Sequence, residues 1–126
     1  STNDTAEDDH GSRTPTLSEI FETLVAERRR NALYVLYRRS DPISVADLGR
    51  EVASLEAADP ERVTTALYHV HVPKLADMGV VHYDTDAKTV CLAHDSDRFR
   101  NYVTAAAEDE NRTLRRATDS ATLEEF

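Results

Sequence analysis

The 126-residue sequence is poor in cysteine and glycine and contains no long apolar run. Its single cysteine, Cys91, excludes an internal disulfide and a zinc site built from several cysteines, and it fits a reducing compartment. Its three glycines are scattered and cannot form a phosphate-binding loop. Because no apolar run is long enough to span a membrane and the acidic beginning lacks a signal-peptide pattern, we expect a cytoplasmic protein without a membrane partner.

Catalytic and metal-binding motifs are also lacking. We find no nucleophile motif, and the carboxylates follow patterns typical of solvated helix faces. His69 and His71 are two positions apart and lie on different faces of a helix, which is a poor spacing for joint metal ligation. We therefore expect no enzyme, no metal and no cofactor. A histidine-only zinc site shared between subunits, drawing on His82 and His94, is the alternative.

The net charge of −9 argues at face value against a nucleic-acid partner. The acidity, however, is concentrated at the two ends of the chain. Residues 1–16 and residues 108–126 each carry a net charge of −3, whereas residues 28–74 hold eight bases against six acids. The net charge of the whole chain therefore does not decide between a DNA partner and a protein partner.

Residues 43–92 are the segment around which the rest of the chain is organised. Ser44, with Asp47 three positions later, predicts the start of one helix, and Asp59-Pro60 predicts the start of another. The second helix has an apolar stripe with spacing i, i+3, i+4, i+7, which we expect to face inward: Val63, Ala66, Leu67 and Val70. Pro73 should kink or restart this helix.

A hairpin is predicted after the second helix. Gly79 fits a left-handed C-cap after Met78, and strands at 80–83 and 89–92 flank a polar turn at 84–88. Helix, turn, helix and hairpin in this order predict a mainly α fold with a small β-hairpin, the winged helix-turn-helix.

The flanking segments predict two helices before this unit and one after it. Thr16 or Ser18, supported by Glu19, would cap the first helix. The second, around residues 31–40, is apolar on more than one side and should lie centrally. Asp95, Ser96 or Asp97 would cap the last. We expect a disordered acidic tail at 1–15, a winged-helix domain at 16–94, a C-terminal helix at 95–109 and a frayed or disordered tail at 110–126.

Two stretches of this sequence resemble a known family. Residues 67–81, LYHVHVPKLADMGVV, look like the corresponding end of ArsR-like winged-helix regulators. Residues 17–92 are similar to small winged-helix domains common in halophilic archaea, whose opening helix and arginine run match LSEIFETLVAERRRNALYVLY. The resemblance implies DNA-binding transcription regulation and dimerisation through terminal helices. The cysteine motif of ArsR metal sensors is absent from residues 45–55, so metal sensing is not implied.

The composition fits a halophilic source. Only Lys74 and Lys88 among the fifteen bases are lysine, and an acidic, lysine-poor surface suits a high-salt cytoplasm. At molar salt the Debye length is about 3 Å, so net charge then says little about partners. An ordinary acidic protein is the alternative.

The outward face of the second helix of the motif is the predicted DNA-reading surface. Polar side chains there can contact bases or phosphates, and we assign this role to Thr64, Thr65, Tyr68 and His69. The candidates for phosphate contacts are Arg28, Arg29, Arg30, Arg62, Lys74 and Lys88. The helix face has no lysine, and the turn sets Lys88 against two aspartates, so a plain solvated face is the alternative.

A chain of this length reads palindromic DNA only as a pair. The candidates for a homodimer contact are Leu17, Phe21, Phe99, Tyr102, Val103 and Ala106. Alternatively, the C-terminal helix covers the core of its own domain. Two functional hypotheses follow. The first is a homodimeric DNA-binding transcription regulator. The second is a protein-interaction module, an adaptor or corepressor, that keeps the fold without binding specific DNA.

Overall fold

The computed structural model describes residues 14–93 and 97–111, which form a mainly helical unit with a small antiparallel sheet. A π-helical turn, Leu67–His71, joins two of the helices without a break. In chain order the elements are α1 (Leu17–Leu24), α2 (Glu27–Tyr37), β1 (Ile43–Ser44), α3 (Val45–Glu56), α4 (Pro60–Ala66), α5 (Val72–Asp77), β2 (Val81–Asp84), β3 (Thr89–Leu92) and α6 (Asp97–Asp109). We call α4, the π turn and α5 together the composite helix (60–77).

The sheet has three strands in the order β1-β3-β2. The predicted hairpin is confirmed as β2 and β3, which pair in antiparallel register with Val81 opposite Leu92. Strand β1 was not predicted. It is two residues long, too short for an alternating pattern to reveal, and it exists because Ile43 pairs with Val90 across the sheet. This pairing fixes the start of α3 against the hairpin.

Local capping signals place most helix boundaries as predicted. The Thr16 hydroxyl accepts from the Glu19 N–H, while the Glu19 carboxylate accepts from the Thr16 N–H. Ser44 caps α3 by accepting from the Asp47 N–H. Asp59 caps α4 in the same way, with proline at its first turn. Gly79, at φ 79°, takes the predicted left-handed conformation, because a glycine lacks the Cβ that makes this region costly.

Helix α2 lies at the centre of the core, as predicted. Every residue from 31 to 37 is buried, and the helix packs against α1, α3, α6 and β3. Helix α6 covers the same core with Phe99, Val103 and Ala107. The prediction that Phe99 and Val103 form a dimer contact is therefore wrong. Both are buried in the core of their own chain, because α6 packs against the apolar surface of α2.

The ordered unit extends further than predicted at both ends. Pro15, assigned to the tail, is buried. Glu110, assigned to the frayed segment, accepts hydrogen bonds from Arg30 and from the Tyr34 hydroxyl. Residues 1–13, 94–96 and 112–126 lie outside the described residues. The tails predicted there, His94 and the proposed caps Asp95 and Ser96 are consequently not tested, and the same holds for the Asp97 side chain.

Candidate nucleic-acid interface

Helix α3 and the composite helix cross at Gly49. A Cβ atom built on Gly49 would lie 1.8 Å from Thr64 Oγ1 and 2.9 Å from Thr64 Cα, so no larger residue fits without moving a backbone. The hydroxyl of Thr64 fills the space that the missing side chain leaves. Our prediction that Thr64 faces outward is therefore wrong: it is partly buried against α3 because the two helices approach so closely.

The composite helix changes its winding just before Pro73. Proline has no N–H to donate to the carbonyl of His69, and its ring crowds that carbonyl. The chain widens into the π turn, where the Val72 N–H donates to the Leu67 carbonyl five residues back. The predicted kink or restart at Pro73 takes this form. Because the turn shifts the phase of the helix, Val72 enters the core, and Val70, predicted to face inward, is 53% exposed.

Polar side chains lie along the exposed side of the composite helix. Thr65 and His69 face solvent, as predicted, and Pro73 follows them at the same four-residue spacing. Since the positions are one helical turn apart, they form a line along the helix. Two of the four predicted groove-reading residues thus lie together on the accessible side.

Tyr68 is partly buried and connects the composite helix to the hairpin. The Lys88 ammonium lies 5.6 Å from the centre of the Tyr68 ring. Burial first, and then the adjacent Tyr68 phenol, raise the pKa of Tyr83 on β2. The His69 ring meets the Tyr68 ring edge-on, with 5.0 Å between centroids. Tyr68 therefore fixes the hairpin beside the helix and places His69 at the rim of this aromatic cluster.

Arg28 makes a bidentate contact within the chain. Its Nε and Nη2 atoms donate to Glu56 on α3 at 2.8 to 3.1 Å, and Asn31 Nδ2 donates to the same carboxylate at 3.0 Å. Burial acts to raise the pKa of Glu56, but the hydrogen bonds from Arg28 and Asn31 outweigh it, and the pKa is lowered. Arg28 therefore already has a strong counter-ion.

Arg29 and Arg30 both bind carbonyls at the end of α1. Arg29 is 8% exposed, and it donates to the carbonyls of Glu22 at 2.8 Å and Thr23 at 3.3 Å. Arg30 donates to the Leu24 carbonyl at 2.6 Å and to Glu110, which directly follows α6. These carbonyls have no partner inside α1, because a helix end leaves its last carbonyls unbonded. The predicted phosphate contact of Arg29 would require this buried side chain to leave the two carbonyls.

The remaining phosphate candidates differ in how available they are. Lys74 forms an ion pair with Glu22 at 2.7 Å. Arg62 and Lys88 are exposed, and within the described part of the chain no carboxylate pairs with either side chain. Arg62 also lines an open cleft with Arg28 and Thr65 at the start of α4. This cleft is where the structure brings predicted reading and phosphate residues together.

Acidic side chains flank the same face. Glu61 and Asp77 are exposed on the composite helix, and Asp84 and Asp86 are exposed in the hairpin turn. Asp84 Oδ1 accepts from the N–H groups of Asp86 and Ala87 at 3.0 Å, which fixes the turn. The turn is therefore well defined but negatively charged, and it lacks the arginine that usually enters a minor groove.

An exposed apolar patch lies on the outside of α1. Leu17 is 45% exposed and Phe21 is 54% exposed, one helical turn apart. The Phe21 ring packs edge-on against Tyr102 of α6, with 5.8 Å between centroids. Two of the six predicted dimer residues, Leu17 and Phe21, thus form an outward patch with the half-buried Tyr102 at its edge, while Ala106 is also partly buried against the core.

The described histidines and Cys91 are the candidate side chains for a metal or thiol site. Within 14–93 and 97–111, no group of three or more histidine, cysteine, aspartate or glutamate side chains is arranged to hold a metal ion. Burial raises the pKa of the Cys91 thiol, which disfavours the reactive thiolate.

Taken together, these observations define a small helical domain with a three-stranded sheet and an accessible helix face that acidic residues flank. A family model described as a domain of unknown function, DUF7344, matches residues 21–91, and the chain belongs to this family. No curated protein and no solved structure gives a significant match to the chain. Across the described residues, no helix has both the length and the apolar character that crossing a membrane requires.

Proposed function

We propose that the chain is a DNA-binding transcription regulator of the winged helix-turn-helix type. The observation that carries this proposal is the close crossing of α3 and the composite helix at Gly49, with the β2–β3 hairpin held beside the second of these helices through Tyr68. In such a unit the second helix enters the major groove and the hairpin lies over the neighbouring backbone. The protein acts in a cytoplasm of high salt, where its net charge is largely screened.

Thr65 and His69 are the residues that we propose contact base edges or phosphates. Both are exposed, and both present hydrogen-bonding groups that suit the donor and acceptor pattern of the major groove. Arg62 and Lys88 supply the phosphate contacts, because no internal carboxylate competes for them in the described structure. Tyr68 contributes indirectly, by holding the hairpin beside the composite helix. Thr64 packs at the crossing of the composite helix and α3.

The first test is selection of DNA from a random-sequence duplex library at near-molar potassium chloride. We expect a palindromic site to be enriched. Thr65→Glu and His69→Glu should each weaken binding at least tenfold, because they place a carboxylate against the phosphates. Ser54→Glu, the same charge on an exposed position of α3, is the matched control and should bind as the wild type does. Circular dichroism checks that all three variants fold.

The patch formed by Leu17, Phe21 and Tyr102 is the contact that we propose for a homodimer. Phe21→Glu should convert the protein to a monomer, because it buries a charge in an apolar contact. Solution mass by light scattering measures this. Ala105→Glu, an exposed position on α6, is the control that should remain dimeric. A Phe21→Glu protein of unchanged dimeric mass would place the interface elsewhere.

A protein-interaction module is the second candidate. The observation favouring it is the charge of the proposed DNA face, where Glu61, Asp77, Asp84 and Asp86 outnumber Arg62 and Lys88, which have no carboxylate partner among the described residues. If the folded protein enriches no DNA sequence, the helix face belongs to an adaptor or corepressor. Arg62→Glu would then leave the fold intact and change only the binding of the protein partner.

A further inference from the structure

Val70 is an apolar side chain that the winding of the composite helix places in solvent. In an uninterrupted α-helix, Val63, Leu67 and Val70 would share one stripe, since residues at i, i+4 and i+7 lie on the same face. Val63 and Leu67 are buried as this pattern requires. The π turn then breaks the pattern, so that Val72 is buried and Val70 is 53% exposed. π turns within helices frequently occur at functional sites.

Val70 is close in the chain to the proposed reading residues. It directly follows His69, which is also exposed, and it lies five positions after Thr65 on the same composite helix. Thr65 and His69 offer hydrogen-bonding groups, whereas Val70 offers two methyl groups and nothing else. A surface of this composition matches a ligand that presents both polar edges and an apolar group. In the major groove, the only apolar group on a base is the C5 methyl of thymine.

We infer that Val70 is a specificity residue that packs against the C5 methyl of a thymine in the recognised DNA. The inference rests on the proposed function, because it needs the composite helix in the major groove. The π turn is then a device for adding an apolar contact to a polar helix face. An apolar contact also suits a protein with few available cations, because a methyl–methyl contact does not weaken with salt as a phosphate contact does.

The test uses the duplex enriched by the selection described above, made with deoxyuridine in place of thymidine at one pair of symmetry-related positions at a time. This substitution removes only the C5 methyl. Wild-type protein should lose about fourfold in affinity per half-site at one such position, the value for burying one methyl-sized group. Val70→Ala should lose a similar amount on the thymine duplex and should no longer distinguish uracil from thymine there.

Two further variants make the result specific to Val70. Val70→Thr keeps the size of the side chain and one methyl group, and should show an intermediate dependence on the thymine methyl. Val25→Ala removes the same atoms from an exposed valine at the end of α1, and should keep the full preference for thymine. Solution mass is recorded for each variant, so that a change in dimerisation is not taken for a change in base contact.

The outcomes separate this inference from the proposed function. If a DNA site is enriched but no thymine position shows coupling with Val70→Ala, the inference is overturned and the regulator proposal stands. If no duplex is enriched by the folded protein, both are overturned. Coupling at one thymine per half-site, absent for Val25→Ala, supports the inference and identifies the base that Val70 contacts.

Discussion

Adjacent arginines on α2 contact three different parts of the molecule. Arg28 binds Glu56 on α3, Arg29 binds carbonyls at the end of α1, and Arg30 joins α1 to Glu110, which directly follows α6. Consecutive helical residues point about 100° apart, so one run of arginines can reach three neighbours. A basic run in a sequence thus resembles a phosphate site even when its partners are helix ends and carboxylates of the same chain.

Replacing Arg29 tests this structural role. Arg29→Met should lower the free energy of unfolding by about 1–3 kcal/mol, because it leaves the Glu22 and Thr23 carbonyls without their donor in a buried place. Arg62→Met, the same change at an exposed arginine, should shift it by no more than about 0.5 kcal/mol. Urea unfolding of both variants gives the comparison. Equal stability of the two would mean that water replaces Arg29 at the end of α1.

The features that could be predicted from the sequence are those that depend on contacts between residues close together in the chain. Thr16, Ser44, Asp59 and Gly79 end or begin elements through contacts within a few positions, so their signals are complete in the sequence. Sequence reasoning failed at Thr64, whose surroundings depend on a glycine fifteen positions earlier in another helix. The availability of Arg28 could not be predicted either, because Glu56 is brought to it only by the packing of α3 on α2.

At the scale of elements, the π turn decides which side chains of the composite helix are accessible. The sequence identified Pro73 as the point of disturbance, but a proline allows either a kink or a widened turn, and the two place different residues outside. Because the chain forms a widened turn, Val70 is exposed and Val72 is buried. The line of Thr65 and His69 could be predicted because Thr65 lies before the turn and His69, the third of its five residues, precedes the full shift in phase.

His71, in the π turn, should make the free energy of unfolding depend on pH. Burial first, and then the charges of Arg29 and Arg28, hold the pKa of His71 below its ordinary value of 6.5, against the opposite effect of Glu56. As pH falls, His71 is therefore protonated at a higher pH in the unfolded chain than in the folded chain. The free energy of unfolding should fall as pH is lowered from about 6.5 and level off below the pKa of the folded state.

Two variants isolate this titration in urea unfolding followed across pH. His71→Gln should remove the part of the slope that begins near pH 6.5. Arg29→Met should reduce that slope, because the imidazolium is no longer beside the guanidinium, whose Nη1 lies 3.4 Å from His71 Nδ1. Glu56 acts in a lower range, since its lowered pKa contributes stability that is lost only as pH falls through that pKa. An unchanged slope in His71→Gln would assign the pH dependence to another group.

At the scale of the whole molecule, internal ion pairs take up most of the positive charge near the proposed DNA face. Arg28, Arg30 and Lys74 each have a carboxylate partner, and Arg29 is buried. A regulator built this way gains little from releasing counterions and depends on contacts to bases. Dependence on base contacts suits high salt, where phosphate contacts contribute least because their strength falls with ionic strength.

The salt dependence of DNA binding tests this balance directly. If only Arg62 and Lys88 of each protomer contact phosphates, a dimer makes four such contacts, and the slope of log affinity against log salt should be about −4. Had all six predicted cations of each protomer been available, the slope would be about −11. Arg62→Gln should make the slope shallower by about 2 in the dimer.

Arg50→Gln is the matched control for this measurement. Arg50 is an exposed arginine on α3 that pairs with Asp47, so its removal should leave the slope unchanged. A wild-type slope near −11 would mean that the internal ion pairs open on binding and that the arginine run reaches the phosphates after all. A slope near −4 that Arg62→Gln reduces, with Arg50→Gln unchanged, would show that the ion pairs persist in the complex. The arginines of α2 would then stabilise the fold, and specificity would come from the composite helix.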